Sequence, residues 1–293
     1  MRARAVLCAV LVPLVSGSAA AIAQAPARLT GNFGGGALVA PPKDLFGPGN
    51  LVIGLRALPA RRLEIEATVR ARCAGGDVQV ATKTAADGSF SAEGSESQTP
   101  ARGEKVRTTF KLAGSFTSER AVEGTLSATL EKTEEGAQKK TCKTGEVAFS
   151  ARRPNGELGD REARPRARYF GVTAQRGTGP RRPIVLRLSG DRRRISRALF
   201  GEQVKCSDNK RSIGIEAPRT NIAIDSKGRV SDHETDKIDN GSTFTYLDDR
   251  FTATLGRRGA KGTFSLSDRT VDKASGNVIQ SCSSGTVKWP AAP

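Results

Sequence analysis

Catalysis near neutral pH commonly recruits a histidine, and this chain of 293 residues offers one, His233, in the run "VSDHETDKIDNGS". A single histidine cannot build a multi-histidine zinc site, and neither G-x-S-x-G nor H-E-x-x-H surrounds it. Its neighbours are loop-forming, so the expectation is an exposed loop histidine, with a triad completed by a distant serine as the lesser reading. Ser207-Asp208-Asn209-Lys210 satisfies both S-x-x-K and S-D-N, and Lys143-Thr144-Gly145 spells K-T-G. In serine enzymes that recognise penicillin these motifs are separate, with K-T-G last. Here two overlap and the third precedes them, so the match fails.

Carboxylates come in suggestive sets as well. Asp232, Glu234, Asp236 and Asp239 recur before Asn240-Gly241, but the turn glycine and closing glutamate of a calcium loop are missing. The adjacent pairs Asp248-Asp249 and Glu134-Glu135 would point to opposite faces of a strand, so neither can flank a sugar by itself. No metal or cofactor is expected from any of these sets.

Charge is more informative. Lys and Arg number 47 against 30 Asp and Glu, a formal net charge of +17. Between residues 176 and 211, eleven Lys and Arg face three Asp and Glu. This stretch includes Arg181, Arg182, Arg187, Arg192, Arg193, Arg194 and Arg197, clustered about a hairpin turn expected at Ser189-Gly190-Asp191. Guanidinium forks pair with phosphate or carboxylate, so these seven arginines are the candidate binding surface for an anionic partner: an envelope polymer, an acidic polysaccharide or lipid headgroups. The competing reading is that they solubilise an exposed edge and deter strand pairing. Nucleic acid is a poorer match, because Phe200 is the one aromatic residue inside the basic stretch and stacking platforms are lacking.

The elements that would carry these residues follow from cysteines, repeats and periodicity. The chain opens with Arg2 and Arg4, an apolar run from Ala5 to Val15, and small residues through Ala23. That is the grammar of a secretory signal peptide cleaved after Ala23, which would remove Cys8 and send the protein out of the cell or into its envelope. No later run is long enough to span a membrane. In an oxidising compartment Cys73, Cys142, Cys206 and Cys282 are expected to pair. Four cysteines allow three connectivities, and the spacings of 69 and 76 residues favour Cys73 with Cys142 and Cys206 with Cys282.

The two halves also repeat one another. "RRLEIEATVRARC" (61–73) lies against "RRISRALFGEQVKC" (193–206), "EGTLSATL" (123–130) against "KGTFSLSD" (261–268), and "CKTGEVAF" (142–149) against "CSSGTVKW" (282–289), with turn glycines Gly88 and Gly228 between. Matches in one order with similar gaps imply a duplicated domain. From Leu63 to Cys73 every odd position is apolar and the even ones are Glu64, Glu66, Thr68, Arg70 and Arg72, the period of a half-buried strand. Cys142 and Val147 lie on opposite parities, as do Cys282 and Val287, so a bulge at Gly145 and Gly285 is expected to return both to the core. No amphipathic helix is evident.

The expected architecture is therefore all-β: a signal peptide (1–23), a β domain (24–150), a charged linker (151–168) and a second β domain (169–293). Each domain would be an antiparallel sandwich or barrel of seven or eight strands with one disulfide of its own. The functional expectation is a non-enzymatic binding or envelope-associated module. A secreted hydrolase and a structural assembly module are the alternatives, and oligomeric state stays open.

Overall fold

The computed structural model describes residues 29–37, 50–99, 104–134, 136–159, 161–175, 179–208, 211–215 and 219–293. The expected signal peptide lies outside these residues. The described residues form strands and no helix.

The first sheet contains β1 (Gly31–Ala37), β2 (Leu51–Ala57), β3 (Arg62–Arg70), β4 (Gly75–Lys83), β5 (Ser89–Gln98), β6 (Glu104–Ser118), β7 (Ala121–Glu134) and β8 (Lys140–Arg152). The second contains β9 (Arg168–Val172), β10 (Pro183–Leu188), β11 (Arg194–Cys206), β12 (Arg211–Ile215), β13 (Ile222–Ala223), β14 (Arg229–Asp239), β15 (Thr243–Leu255), β16 (Ala260–Asp272), β17 (Val278–Ser283) and β18 (Val287–Ala292). All ladders between them are antiparallel.

Strand order in the first sheet is β4-β3-β2-β1-β8-β7-β6-β5, and in the second β12-β11-β10-β9-β18-β16-β15-β14. The two orders correspond strand for strand, with β17 and β18 together in the place of β8. In both, the last strand returns to pair with the first, β8 with β1 and β18 with β9. The first sheet curls into a nearly closed barrel, where Thr82 on β4 donates its hydroxyl to the Ser91 carbonyl on β5 at 2.9 Å. The second also curls, and β17 ties β16 to β11. A nearly closed barrel and a curled half-barrel thus stand where periodicity left sandwich or barrel open.

Period-two patterning fills the interiors. Leu63, Ile65, Ala67 and Val69 are buried, and the even positions between them are half-buried. The first core gathers Phe33, Phe110, Leu126 and Phe149, and the second gathers Phe200, Phe251, Phe264 and Trp289. Phe251 and Trp289 stack with ring centroids 5.6 Å apart, a geometry worth about 1 kcal/mol beyond area burial.

Both expected disulfides form, Cys73–Cys142 in the first unit and Cys206–Cys282 in the second. The glycine bulges form too. Gly145 and Gly285 adopt φ of 70° and 61°, a region open to glycine without a Cβ penalty. The residue before each glycine fills the gap in the ladder: the Thr144 hydroxyl accepts from Ala128 N–H at 2.9 Å, and the Ser284 hydroxyl accepts from Leu266 N–H at 2.8 Å. Beyond the bulge Val147, Phe149, Val287 and Trp289 are all buried.

Segment 153–167 is charged but anchored to the second unit. Arg257 N–H donates to the Arg161 carbonyl at 2.8 Å, Arg258 N–H to the Leu158 carbonyl at 2.9 Å, and Arg166 N–H to the Ser189 carbonyl at 3.1 Å. Ala163 enters the second core. The units meet through Val52 from one side and Phe170, Val185 and Leu199 from the other, with Gly34 packed directly on the backbone of Gly171.

Candidate functional site

The arginine-rich segment folds as the β10–β11 hairpin, and strand alternation sorts its side chains. Arg192 and Arg193 in the turn and Arg194 at the start of β11 are exposed. Ser189 and Asp191 shape this turn: the Asp191 carboxylate accepts from the Ser189 hydroxyl at 2.5 Å and from Arg193 N–H at 3.1 Å. These hydrogen bonds hold the Asp191 carboxyl below its usual range. Arg192, at φ 64°, reaches Glu162 of the anchored segment at 2.6 Å, and Arg194 donates to the Asn221 side-chain oxygen at 2.6 Å.

The remaining predicted arginines go elsewhere. Arg187 is half-buried and opposes Arg197, which is buried, on the outer face shared with Val185 and Leu199. Burial, then repulsion from Arg187, lowers the pKa of Arg197. Arg182 is buried between the units and pairs with Glu66. Its neighbour Arg181 donates its backbone N–H to the Asn32 side chain at 3.2 Å and lines a groove on the outside of the second sheet. The fold therefore leaves three of the seven arginines in solvent at the hairpin turn and divides the other four among the unit interface, the outer face of the sheet and that groove.

What sequence spacing missed is the set of arginines that tertiary structure adds. A cleft of about 660 Å³ at this end of the barrel is lined by Arg161, Glu162, Arg192, Arg193, Asp225 and Lys227. An adjoining cleft of about 660 Å³ is lined by Arg161, Arg164, Arg257 and Arg258, with Glu157 and the terminal Pro293. Among the described residues the side chains of Arg161, Arg164, Arg257 and Arg258 make no ion pair, and all four are exposed. Arg257 and Arg258 lie outside the basic stretch that the sequence singled out, and the only signal for Arg161 and Arg164 was the arginine content of 151–168. Backbone bonds from Arg257 and Arg258 fix that segment beside the β15–β16 turn.

Tyr169 braces the same end from inside, donating its hydroxyl to the Gly256 carbonyl at 2.8 Å. Burial pushes its phenol up to about 12, so the donor persists across the physiological range.

The enzyme candidates are scattered. His233 lies on β14 rather than in a loop, half-exposed, with its ring 3.3 Å from Asp248. Its partner is a carboxylate and not a serine or cysteine nucleophile. The run was misread because the outer halves of β14 and β15 are solvated on both faces, which erases the period-two signal. Asp232, Glu234 and Asp236 share one face of β14 and Asp239 lies on the other, strung along an extended strand, and no metal-binding cluster occurs among the described residues. Arg219 is buried between Asp232 and Asp249. A cleft of about 850 Å³ beside the Cys206–Cys282 bond mixes Lys205, Lys237 and Arg269 with Asp236, Asp248 and Asp268. Burial raises the pKa of Asp268 there.

No helix of the described residues is long and apolar enough to cross a membrane. No family model and no curated protein matches the chain. A crystal structure from Nitrosomonas europaea, provisionally assigned as ATTH, aligns over 96% of this chain and 99% of that chain at 9% identity with a TM-score of 0.26, a likeness too low to carry any argument.

Proposed function

We propose that the chain is an exported, non-enzymatic binding protein of two homologous domains, 24–150 and 169–293, joined by the charged segment 151–168 and preceded by a signal peptide, 1–23. The matching strand orders and the repeated bulges support duplication. Two disulfides suit an oxidising destination outside the cytoplasm.

Its partner is anionic and presents phosphate or carboxylate groups, as an envelope polymer, an acidic polysaccharide or lipid headgroups would. The observation that carries this reading is the convergence of Arg192 and Arg193 with Arg161, Arg164, Arg257 and Arg258 in two adjoining clefts at one end of the second unit. Several guanidiniums on one rigid surface raise the local concentration of an anion. Arg182 and Arg197 contribute to packing instead.

Chromatography on a phosphocellulose matrix tests the reading. Replacing Arg192, Arg193 and Arg194 with serine should lower the eluting salt concentration well below that of a charge-matched control altered at exposed Lys105, Lys111 and Lys143. Equal shifts for the two variants would mean that net charge alone governs retention, and the site assignment would fall.

A further inference from the structure

A second basic surface lies away from the barrel-end arginines, on the outside of the second barrel. Four strands present it in two rows. Arg229, Thr254, Lys261 and Pro290 lie opposite one another across β14, β15, β16 and β18, and Ser231, Thr252, Thr263 and Lys288 form the next row on the same face. The Thr252 and Thr263 hydroxyls bond each other at 2.8 Å.

Arg181, Ala174 and Gly156 wall this face into a groove of about 570 Å³, within the size range of small-molecule sites. Its cations are Arg181, Arg229, Lys261 and Lys288, and no carboxylate lines it. Arg229 pairs with Asp225 at 2.8 Å. Among the described residues the side chains of Arg181, Lys261 and Lys288 make no ion pair. Uncompensated like charges on neighbouring strands cost stability, and an anion in the groove would relieve that cost.

The corresponding face of the first barrel lacks this character. Register places Ser89, Ser115, Glu123 and Ser150 in the row equivalent to Arg229, Thr254, Lys261 and Pro290, and Ala148 opposite Thr125 where Lys288 faces Thr263. Glu123 is neutralised by Arg152 at 2.8 Å. The cations are thus a property of the second unit and not of the shared architecture.

Their spacing selects the ligand. Arg229 and Lys261 stand two strands apart, about 10 Å, and Lys261 and Lys288 are diagonal neighbours at about 7–8 Å, with threonine hydroxyls between them. Such an array matches a chain whose carboxylates are separated by hydroxyl-bearing rings better than one compact anion. We propose that this groove binds an acidic oligosaccharide of uronate type, its carboxylates on Arg181, Arg229, Lys261 and Lys288 and its hydroxyls on the threonines.

Titration calorimetry of the full exported chain with tetragalacturonic acid tests the assignment, with maltotetraose and tetrapolyphosphate as comparison probes. The acidic tetrasaccharide should bind saturably, the neutral one should not, and tetrapolyphosphate should bind more weakly. The double variant Lys261→Gln and Lys288→Gln, both exposed, should lose about tenfold in affinity. The Arg192, Arg193 and Arg194 serine variant should bind as the parent does, which separates this site from the barrel end. Absence of saturable binding, affinity unchanged in the lysine variant, or tighter binding of tetrapolyphosphate would overturn the proposal.

Discussion

Asp77, on β4 at the junction of the two units, shows how burial and pairing compete at one carboxylate. It accepts the Thr68 hydroxyl at 2.8 Å and lies near Arg70 and Arg182, yet burial outweighs these contacts and raises its pKa above the ordinary aspartate range. A raised folded value means that the native state holds the proton more tightly than the unfolded chain. Asp77 therefore costs stability at neutral pH, and that cost disappears as pH falls through the window from the raised value to the unfolded one. Asp77→Asn keeps an acceptor for Thr68 and removes the buried charge. It should be more stable than the parent to urea at pH 7 and indistinguishable near pH 3; lower stability at pH 7 would mean that attraction to Arg182 and Arg70 outweighs burial.

Strands and their closures carry the next level. Cys206 and Cys282 face each other across the β11–β17 ladder, whereas Cys73 lies beyond the end of β3 and reaches Cys142 on β8. Bridging 69 or 76 residues stabilises each unit by about 4 kcal/mol in the chain-entropy account. Replacing Cys206 and Cys282 with serine should cost about that much in denaturant unfolding, and amide exchange should accelerate in β17 and the end of β11 while β8 stays protected. Uniform acceleration across both sheets would instead show that the units unfold together. The repeated "CxxGxVx(F/W)" stretch lies within β8 in the first unit and bridges β17 and β18 in the second. Its glycine is legible as a bulge because a parity break between two buried residues has few remedies, while its hydroxyl partner in the ladder, Thr144 or Ser284, carries no sequence signal of its own.

At the scale of the whole molecule, the units touch through a small apolar cluster, the Glu66–Arg182 pair and a close backbone approach. A Cβ on Gly34 would come within 2.7 Å of the Gly171 carbonyl carbon and of a Val172 methyl, so no side chain fits without separating the sheets. Gly34→Val should lower stability by about 1–3 kcal/mol and enlarge the particle in small-angle scattering; a parent-like scattering profile would place the strain within the first barrel alone. By itself the sequence determined the all-β class, the disulfide pairing and the doubled strand plan, because alternation, cysteine spacing and turn glycines are local properties of the chain. It also located a basic hairpin, but it could not sort Arg182 and Arg197 from Arg192, Arg193 and Arg194. Neighbouring arginines read alike until the fold decides which face meets the other unit. Only tertiary structure brought Arg161 and Arg164 beside Arg257 and Arg258, and Arg181 beside Lys261 and Lys288. Those groupings depend on how the sheets curl and where segment 153–167 is anchored, and both are set by contacts between residues far apart in the chain.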